Sequence, residues 1–125
     1  MITLFNGTTL TASYVAASTS MSLQDQSLIY IDYTKGSEVT GMYIRISFKP
    51  SGGSNFYKES IKAYNSTESR YELVSSEFLI ETTGKLRVAS STSQQETYIQ
   101  VEIKAEGTIG GSPGTVTIKH DTSHA

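Results

Sequence analysis

Cysteine and tryptophan are absent from this sequence of 125 residues, and it contains only two prolines. Without cysteine, neither a disulfide bond nor a thiolate metal site can stabilise the fold, which is typical of proteins made in a reducing cytoplasm. A hydrophobic core has to stabilise it instead, and a domain of about this length buries roughly two thirds of its unfolded surface. We therefore predict a single domain over residues 1–125.

Long apolar runs are missing as well. No apolar segment approaches the ~20 residues that span a bilayer as a helix. The first residues, Met-Ile-Thr-Leu-Phe-Asn, lack the basic region that begins a secretory signal. We therefore expect no membrane partner.

Clusters of basic residues are also missing from the sequence. The net charge is −2, and the lysines and arginines are spread along the whole chain among the acidic residues. A surface that binds a nucleic-acid duplex needs clustered Lys and Arg to displace counterions from the phosphates. We therefore expect no nucleic-acid partner.

What the sequence does contain is a β-strand composition, rich in Thr, Tyr, Ile, Val and Ser. Residues 42–49 and 98–105 alternate strictly between apolar and polar side chains, as a strand with one buried face does. The side chains predicted to face the core are Met42, Ile44, Ile46, Phe48, Ile99, Val101, Ile103 and Ala105.

Weaker strand signals lie at residues 10–17, 28–33, 56–64, 86–88 and 116–118. Residues 28–33 are apolar on both faces apart from Asp32, which predicts a central strand. Residues 68–81 favour one or two strands, with a short helix as the alternative.

Gly-rich and polar turn signals separate these runs, and they leave no room for the crossover helices of a parallel sheet. The predicted fold is all-β, an antiparallel two-layer β-sandwich or jelly roll of seven to eight short strands. Residues 1–8 and 121–125 are polar and are predicted to be short N- and C-terminal arms.

Catalytic chemistry is hard to place on this sequence. His120 and His124 are four residues apart, but they follow a predicted strand and are expected to be exposed without a third metal ligand. The glycine-rich stretch 107–112 lacks the lysine and helix of a phosphate loop, so we predict a hairpin loop there. Asp32 is expected to be an outward-facing strand residue or a charge that blunts a sheet edge, with a functional role as the alternative. We predict no catalytic, metal-binding or cofactor-binding residues, no cofactor and no enzymatic activity.

Tyrosine is the remaining signal, with eight residues of this type. Four of them lie opposite apolar strand faces and are candidate interface aromatics: Tyr30, Tyr43, Tyr57 and Tyr98. They would suit a carbohydrate platform or a protein interface, while the alternative is that tyrosine merely suits half-buried strand positions.

The order of several segments carries a resemblance to a known group of proteins. Residues 27–38 are followed by the strand 42–48, a Gly-rich turn and Asn-Phe-Tyr at 55–57, then by the strands 98–105 and 114–118. Over residues 27–119 this order resembles small β-sandwich structural proteins of tailed bacteriophages. The resemblance implies a scaffold rather than a site, so it transfers no functional residues.

The resemblance therefore implies a virion structural protein, most simply a capsid decoration (cement) protein that stabilises the shell after synthesis in the host cytoplasm. Its expected partners are capsid or other virion proteins, with self-association left open. The alternatives are a carbohydrate-binding β-sandwich module and a small connector or tail component of the same virion.

Overall fold

The computed structural model describes residues 2–22, 25–50, 61–65, 70–74, 77–91 and 96–124. Within these ranges the protein is all-β, and all of its regular structure is antiparallel sheet. The predicted fold class is therefore confirmed. No helix within the described ranges is long and apolar enough to cross a bilayer.

Ten strands are formed by the described residues. In chain order they are β1 (Ile2–Thr9), β2 (Val15–Ser22), β3 (Asp25–Lys35), β4 (Val39–Pro50), β5 (Ile61–Asn65), β6 (Arg70–Val74), β7 (Glu77–Ile80), β8 (Gly84–Ser91), β9 (Glu96–Gly107) and β10 (Gly114–His124). One sheet has the order β1-β10-β3-β8-β5-β6, and the other has the order β2-β9-β4-β7.

Eight of these strands pair in a nested way. β1 pairs with β10, β2 with β9, β3 with β8 and β4 with β7, all antiparallel. Successive pairs alternate between the two sheets, which gives two four-stranded layers, β1-β10-β3-β8 and β2-β9-β4-β7. This is the jelly-roll arrangement, one of the two architectures that the sequence predicted. The hairpin β5–β6 is an insertion that extends the first layer beyond β8.

The core lies between the two sheets, because both contribute their inward-facing side chains to one apolar cluster. The six-stranded sheet provides Ile29, Ile31, Tyr33, Val88, Val116 and Ile118, and the four-stranded sheet provides Met42, Ile44, Ile46, Ile99, Val101, Ile103 and Ala105. The predicted inward faces of 42–49 and 98–105 are therefore confirmed at every side chain that is described there. The region 68–81 forms β6 and β7, so its strand prediction is confirmed over the helix.

Both chain ends differ from the prediction of polar arms. Residues 2–9 form β1, which buries Phe5, and residues 121–124 continue β10 in pairing with β3. The physical reason is pairing: β10 meets β3 over its whole length, so the polar C-terminal residues take part in the sheet ladder. His120 continues the inward alternation of Val116 and Ile118 and is only 1% exposed, so the expectation of an exposed histidine was wrong.

Two further predictions need correction. The loop 108–113 is not a hairpin, because β9 and β10 belong to different sheets and the loop crosses between them. The alternation predicted for residues 10–17 is interrupted, because residues 11–14 lie outside strands and β2 begins at Val15.

The crossover from β1 to β2 is fastened to both layers. The Leu10 amide donates to the Gly114 carbonyl in the six-stranded sheet at 2.9 Å, and the Ala105 amide of the four-stranded sheet donates to the Thr11 carbonyl at 2.8 Å. These bonds hold β1 and β2 on the same side of the sandwich, where the two strands contact each other.

Candidate functional site

A depression of about 590 Å³ lies on the outer face of the six-stranded sheet. Its outward-facing lining comes from three neighbouring strands, β10, β3 and β8, and we call it the basic depression. The side chains that form it are Tyr30, Asp32, Lys85, Arg87, Thr117 and Lys119.

Strand register arranges these side chains in two rows. Tyr30 of β3 lies opposite Lys119 of β10 on one side and Arg87 of β8 on the other. Directly opposite residues of antiparallel strands have Cβ atoms about 4.5–5.5 Å apart. An aromatic ring is thereby placed between two cations.

The second row runs beside the first. Asp32 lies opposite Thr117 of β10 and Lys85 of β8. The Thr117 hydroxyl accepts a hydrogen bond from the Gly7 amide at 2.9 Å, which leaves its own proton available for donation. Tyr30 and Thr117 are half-buried, whereas the charged side chains are exposed to solvent.

The charge of this depression differs in sign from that of the whole chain. Three basic residues surround one acidic residue there, while the chain carries a net charge of −2. Cations on a shared concave surface raise the local concentration of anions. The depression therefore presents positive charge, one acceptor carboxylate and one aromatic ring to a ligand.

A second polar group covers the outer face of the four-stranded sheet. Arg45 of β4 forms two hydrogen bonds with the Glu102 carboxylate of β9, at 2.9 and 2.7 Å. The Tyr14 ring lies over the guanidinium, 3.9 Å from its central carbon to the ring centroid. The Tyr14 hydroxyl donates to Oε1 of Glu77 in β7 at 3.2 Å.

These contacts change the acid–base properties of the group. Burial, reinforced by the hydrogen bond to the Glu77 carboxylate, raises the pKa of Tyr14 to about 12. The hydrogen bonds that the Arg45 guanidinium donates to the Glu102 carboxylate raise the pKa of Arg45 above its ordinary value. Because Arg45 is paired with Glu102 and Tyr14 joins this pair to Glu77, we interpret the group as a fastening of the Tyr14 loop to β4, β7 and β9 rather than as a ligand site.

A third surface is the side of the sandwich formed by β1 and β2. Residues 1–24 contain no Asp, Glu, Lys, Arg or His, and these two strands are the edges of the two sheets on that side. Val15 is 40% exposed, and Ala16 and Ser18 are exposed as well. We call this surface the uncharged edge.

The two strands of the uncharged edge differ in regularity. β1 has register shifts between Thr3 and Phe5 and between Phe5 and Thr8, and Gly7 within the second shift adopts a φ of 57°. Such bulges bend an edge strand away from pairing with a further strand. β2 pairs with β9 over eight residues without a shift, so its other side, which pairs with no further strand of the described residues, offers a straight row of backbone donors and acceptors.

The other two sheet edges are less suited to a partner. β6 has five residues and β7 has four, and both contain charged residues. Short and charged edges discourage the addition of a further strand. Of the four edges formed by described residues, β2 is the one that is long, regular and free of charge.

The structure does not bring the four predicted interface tyrosines together. Tyr30 lies in the basic depression, whereas Tyr43 lies on the opposite outer face, where the Lys104 amino group is 5.6 Å from its ring centroid. Tyr57 lies outside the described residues, and the Tyr98 side chain is likewise outside the described part although its backbone belongs to β9. Sequence reasoning did not single out Tyr14, which lies in the loop before β2 and contacts Glu77, Arg45 and Lys104.

Sequence reasoning also missed both surfaces. The basic depression combines positions 30–32, 85–87 and 117–119, whose proximity follows only from the pairing of β3 with β8 and β10. The uncharged edge had a signal in the sequence, namely the absence of charge over residues 1–24.

Within the described ranges, no group of three or more His, Asp or Glu side chains is close enough to hold a metal ion. No family model, curated protein or solved structure matches the chain, so the site has to be interpreted from its own chemistry.

Proposed function

We propose that this protein is a non-enzymatic structural protein of a virion, a capsid decoration (cement) protein that stabilises the shell. The observation that carries the proposal is the uncharged edge, a whole side of the sandwich without charged side chains in a chain that is 18% charged. The cores of protein–protein interfaces are depleted in charged residues, because burying an unpaired ion costs several kcal/mol.

The backbone of β2 supports the same role. An edge strand can take up an extended segment of another protein, whose main-chain hydrogen bonds then supply the affinity. Eight residues in regular register are enough for a stable strand, whose usual length is about five to six residues. The partner that fits this edge is an extended segment of a capsid subunit.

The jelly-roll architecture also supports the proposal. Jelly rolls are common in viral capsid domains and in lectins, and the same architecture also serves unrelated functions. The architecture therefore raises the expectation of a virion role without assigning one, and the uncharged edge has to be tested directly.

Particles with and without the protein provide the test of the role. Mass spectrometry of purified virions should detect the protein, and particles that lack it should assemble but break at a lower temperature than complete ones. Particles that fail to form would instead indicate a connector or tail component. Equal heat stability of the two particles would refute a cement role.

Two matched variants test the surface. Added back to depleted particles, Ser18→Lys on the exposed face of β2 should bind at least tenfold more weakly than the natural chain, because its charge would be desolvated. Ser37→Lys is the control, since Ser37 is exposed in the loop between β3 and β4 and belongs to neither strand of the uncharged edge. Equal occupancy of the two variants would show that the partner binds elsewhere.

A second candidate function, carbohydrate binding, is favoured by a different observation. The basic depression combines a half-buried tyrosine ring with side chains that donate and accept hydrogen bonds, on an open face of the sheet. Aromatic rings with a few placed polar groups are the usual composition of small-molecule sites.

A further inference from the structure

The geometry points to the basic depression as a binding site for an acidic saccharide, one whose sugar ring carries a carboxylate. This inference rests on the carbohydrate-binding candidate and gives it a ligand class. It does not depend on attachment to a virion.

The charges of the depression suit an anionic group. Three cations and one carboxylate line the depression. In the first row Lys119 and Arg87 lie on opposite sides of the central strand β3, and in the second row Lys85 lies beside Asp32. An anionic group placed over Tyr30 would have cations on both flanks. Arginine and lysine recognise carboxylates through charge-assisted hydrogen bonds, which are the stronger ones.

Asp32 disfavours a purely anionic ligand. Its exposed carboxylate lies in the middle of the second row and accepts hydrogen bonds only. A ligand that covers the whole depression is bound best when it brings a donor for Asp32 as well as negative charge for the cations. The hydroxyl groups of a sugar supply such donors, whereas the oxygens of a dianionic phosphate or sulfate do not.

The aromatic ring and the volume of the depression suit a sugar ring. Tyr30 is half-buried in the first row, so it offers an apolar surface to the C–H face of a sugar ring while its hydroxyl remains polar. The volume of about 590 Å³ falls within the usual range of small-ligand sites, about 300–1,000 Å³. One or two sugar residues fit such a space.

The test compares two probes that differ only at the acidic group, methyl β-glucuronide and methyl β-glucoside, by saturation-transfer NMR and calorimetry. We expect the glucuronide to bind at least tenfold more tightly than the glucoside in 20 mM salt. That preference should shrink when the salt is raised to 300 mM, because screening weakens exposed charge pairs. Inorganic phosphate, an anion without a sugar, should compete weakly or not at all.

Variants place the ligand within the depression. Lys119→Gln and Arg87→Gln should each weaken glucuronide binding at least fivefold and leave the glucoside nearly unaffected. Lys104→Gln is the matched control, because Lys104 is a lysine on the outer face of the other sheet. Thermal melting of each variant confirms that it is folded.

The outcomes distinguish a wrong ligand class, the acidic saccharide, from a wrong function, carbohydrate binding. Equal binding of the two glycosides would overturn the acidic ligand class and leave carbohydrate binding in place. Absence of binding by both glycosides would overturn both, as would glucuronide binding that only Lys104→Gln weakens. Tight binding of phosphate alone would show that the depression holds anions rather than saccharides.

Discussion

Truncation of one buried isoleucine provides the sharpest test of the core. Ile46 lies on β4, a central strand of the four-stranded sheet, and is 0% exposed between the two layers. Ile46→Ala removes buried apolar atoms and leaves a cavity that close-packed neighbours cannot fully close, at a cost of about 2–5 kcal/mol. This is a large share of the stability of a typical domain, about 5–15 kcal/mol.

The chain offers a matched control for this variant. Ile109 lies in the loop between β9 and β10 and is 37% exposed, so Ile109→Ala makes the same chemical change without creating an enclosed cavity. We expect it to cost under about 1 kcal/mol, since substitutions away from the core are usually small in effect. The difference between the two variants in free energy of unfolding therefore reports the effect of burial, because the chemical change is the same in both.

Urea and thermal unfolding measure both variants. Ile46→Ala should lower the urea midpoint by at least about 1 M with an unchanged slope, and the melting temperature by about 10–20 °C. Similar losses for the two isoleucines, or a loss below about 1 kcal/mol for Ile46→Ala, would refute the assignment of this strand face to the core.

Three further variants address other features of the molecule. Tyr33 is 0% exposed, and its hydroxyl has no hydrogen-bond partner within the described residues. Tyr33→Phe should therefore raise the free energy of unfolding by about 1 kcal/mol in urea titrations. A clear decrease in that free energy would mean that the hydroxyl has a hydrogen-bond partner. The pKa of Tyr14 is raised from about 10 to about 12 in the folded protein, so the unfolded chain releases that proton first and stability falls as pH rises through this range. The loss is at most about 3 kcal/mol before solvent screening reduces it, and unfolding curves of Tyr14→Phe at pH 9 and 11.5 should show a shallower fall than those of the natural chain. Gly36→Ala should destabilise the protein strongly, because an added Cβ would meet the backbone carbonyl of Ser112. Gly111→Ala has open space around the added Cβ and should melt near the temperature of the natural chain. Equal melting temperatures of these two variants would contradict the close approach of the β3–β4 loop to the β9–β10 loop.

Period-two patterning was enough to predict the core strands. Ile44, Ile46, Val101 and Ile103 alternate with polar residues, and each is almost fully buried. This worked because β4 and β9 are neighbours with one face on the core, where alternation directly records burial. The central position of β3 was predicted for a related reason, since its outer face also contains Leu28 and Tyr30, which are half-buried.

The ends of the chain show where the sequence argument fails. Residues 121–124 are polar, and polarity predicts an arm when the residues are considered alone. They form a strand because β3 pairs with them as far as its first residue, Asp25. Backbone hydrogen bonds of this kind do not depend on the hydropathy of the side chains. The burial of His120 had a signal, because Val116, Ile118 and His120 share one strand face.

The basic depression could not be predicted from the sequence for a topological reason. A nested jelly roll pairs strands that are far apart in the chain, so Arg87 and Lys119 become neighbours of Tyr30 through strand order alone. Lysines and arginines that are scattered along a sequence can therefore lie together in space. The expectation that nucleic acid is not a partner stays a prediction, and Asp32 at the centre of the depression is the structural argument that supports it.

The positions of the two surfaces allow both proposed roles to operate in one molecule. β2 is the edge of the four-stranded sheet, whereas the basic depression lies on the outer face of the six-stranded sheet, over β10, β3 and β8. A partner strand that extends the four-stranded sheet at β2 would lie beside that layer, while the outer face of the other layer continues to face away from it. A protein fixed to a shell through the uncharged edge would thus keep the depression open to solvent, where a cell-surface saccharide could reach it.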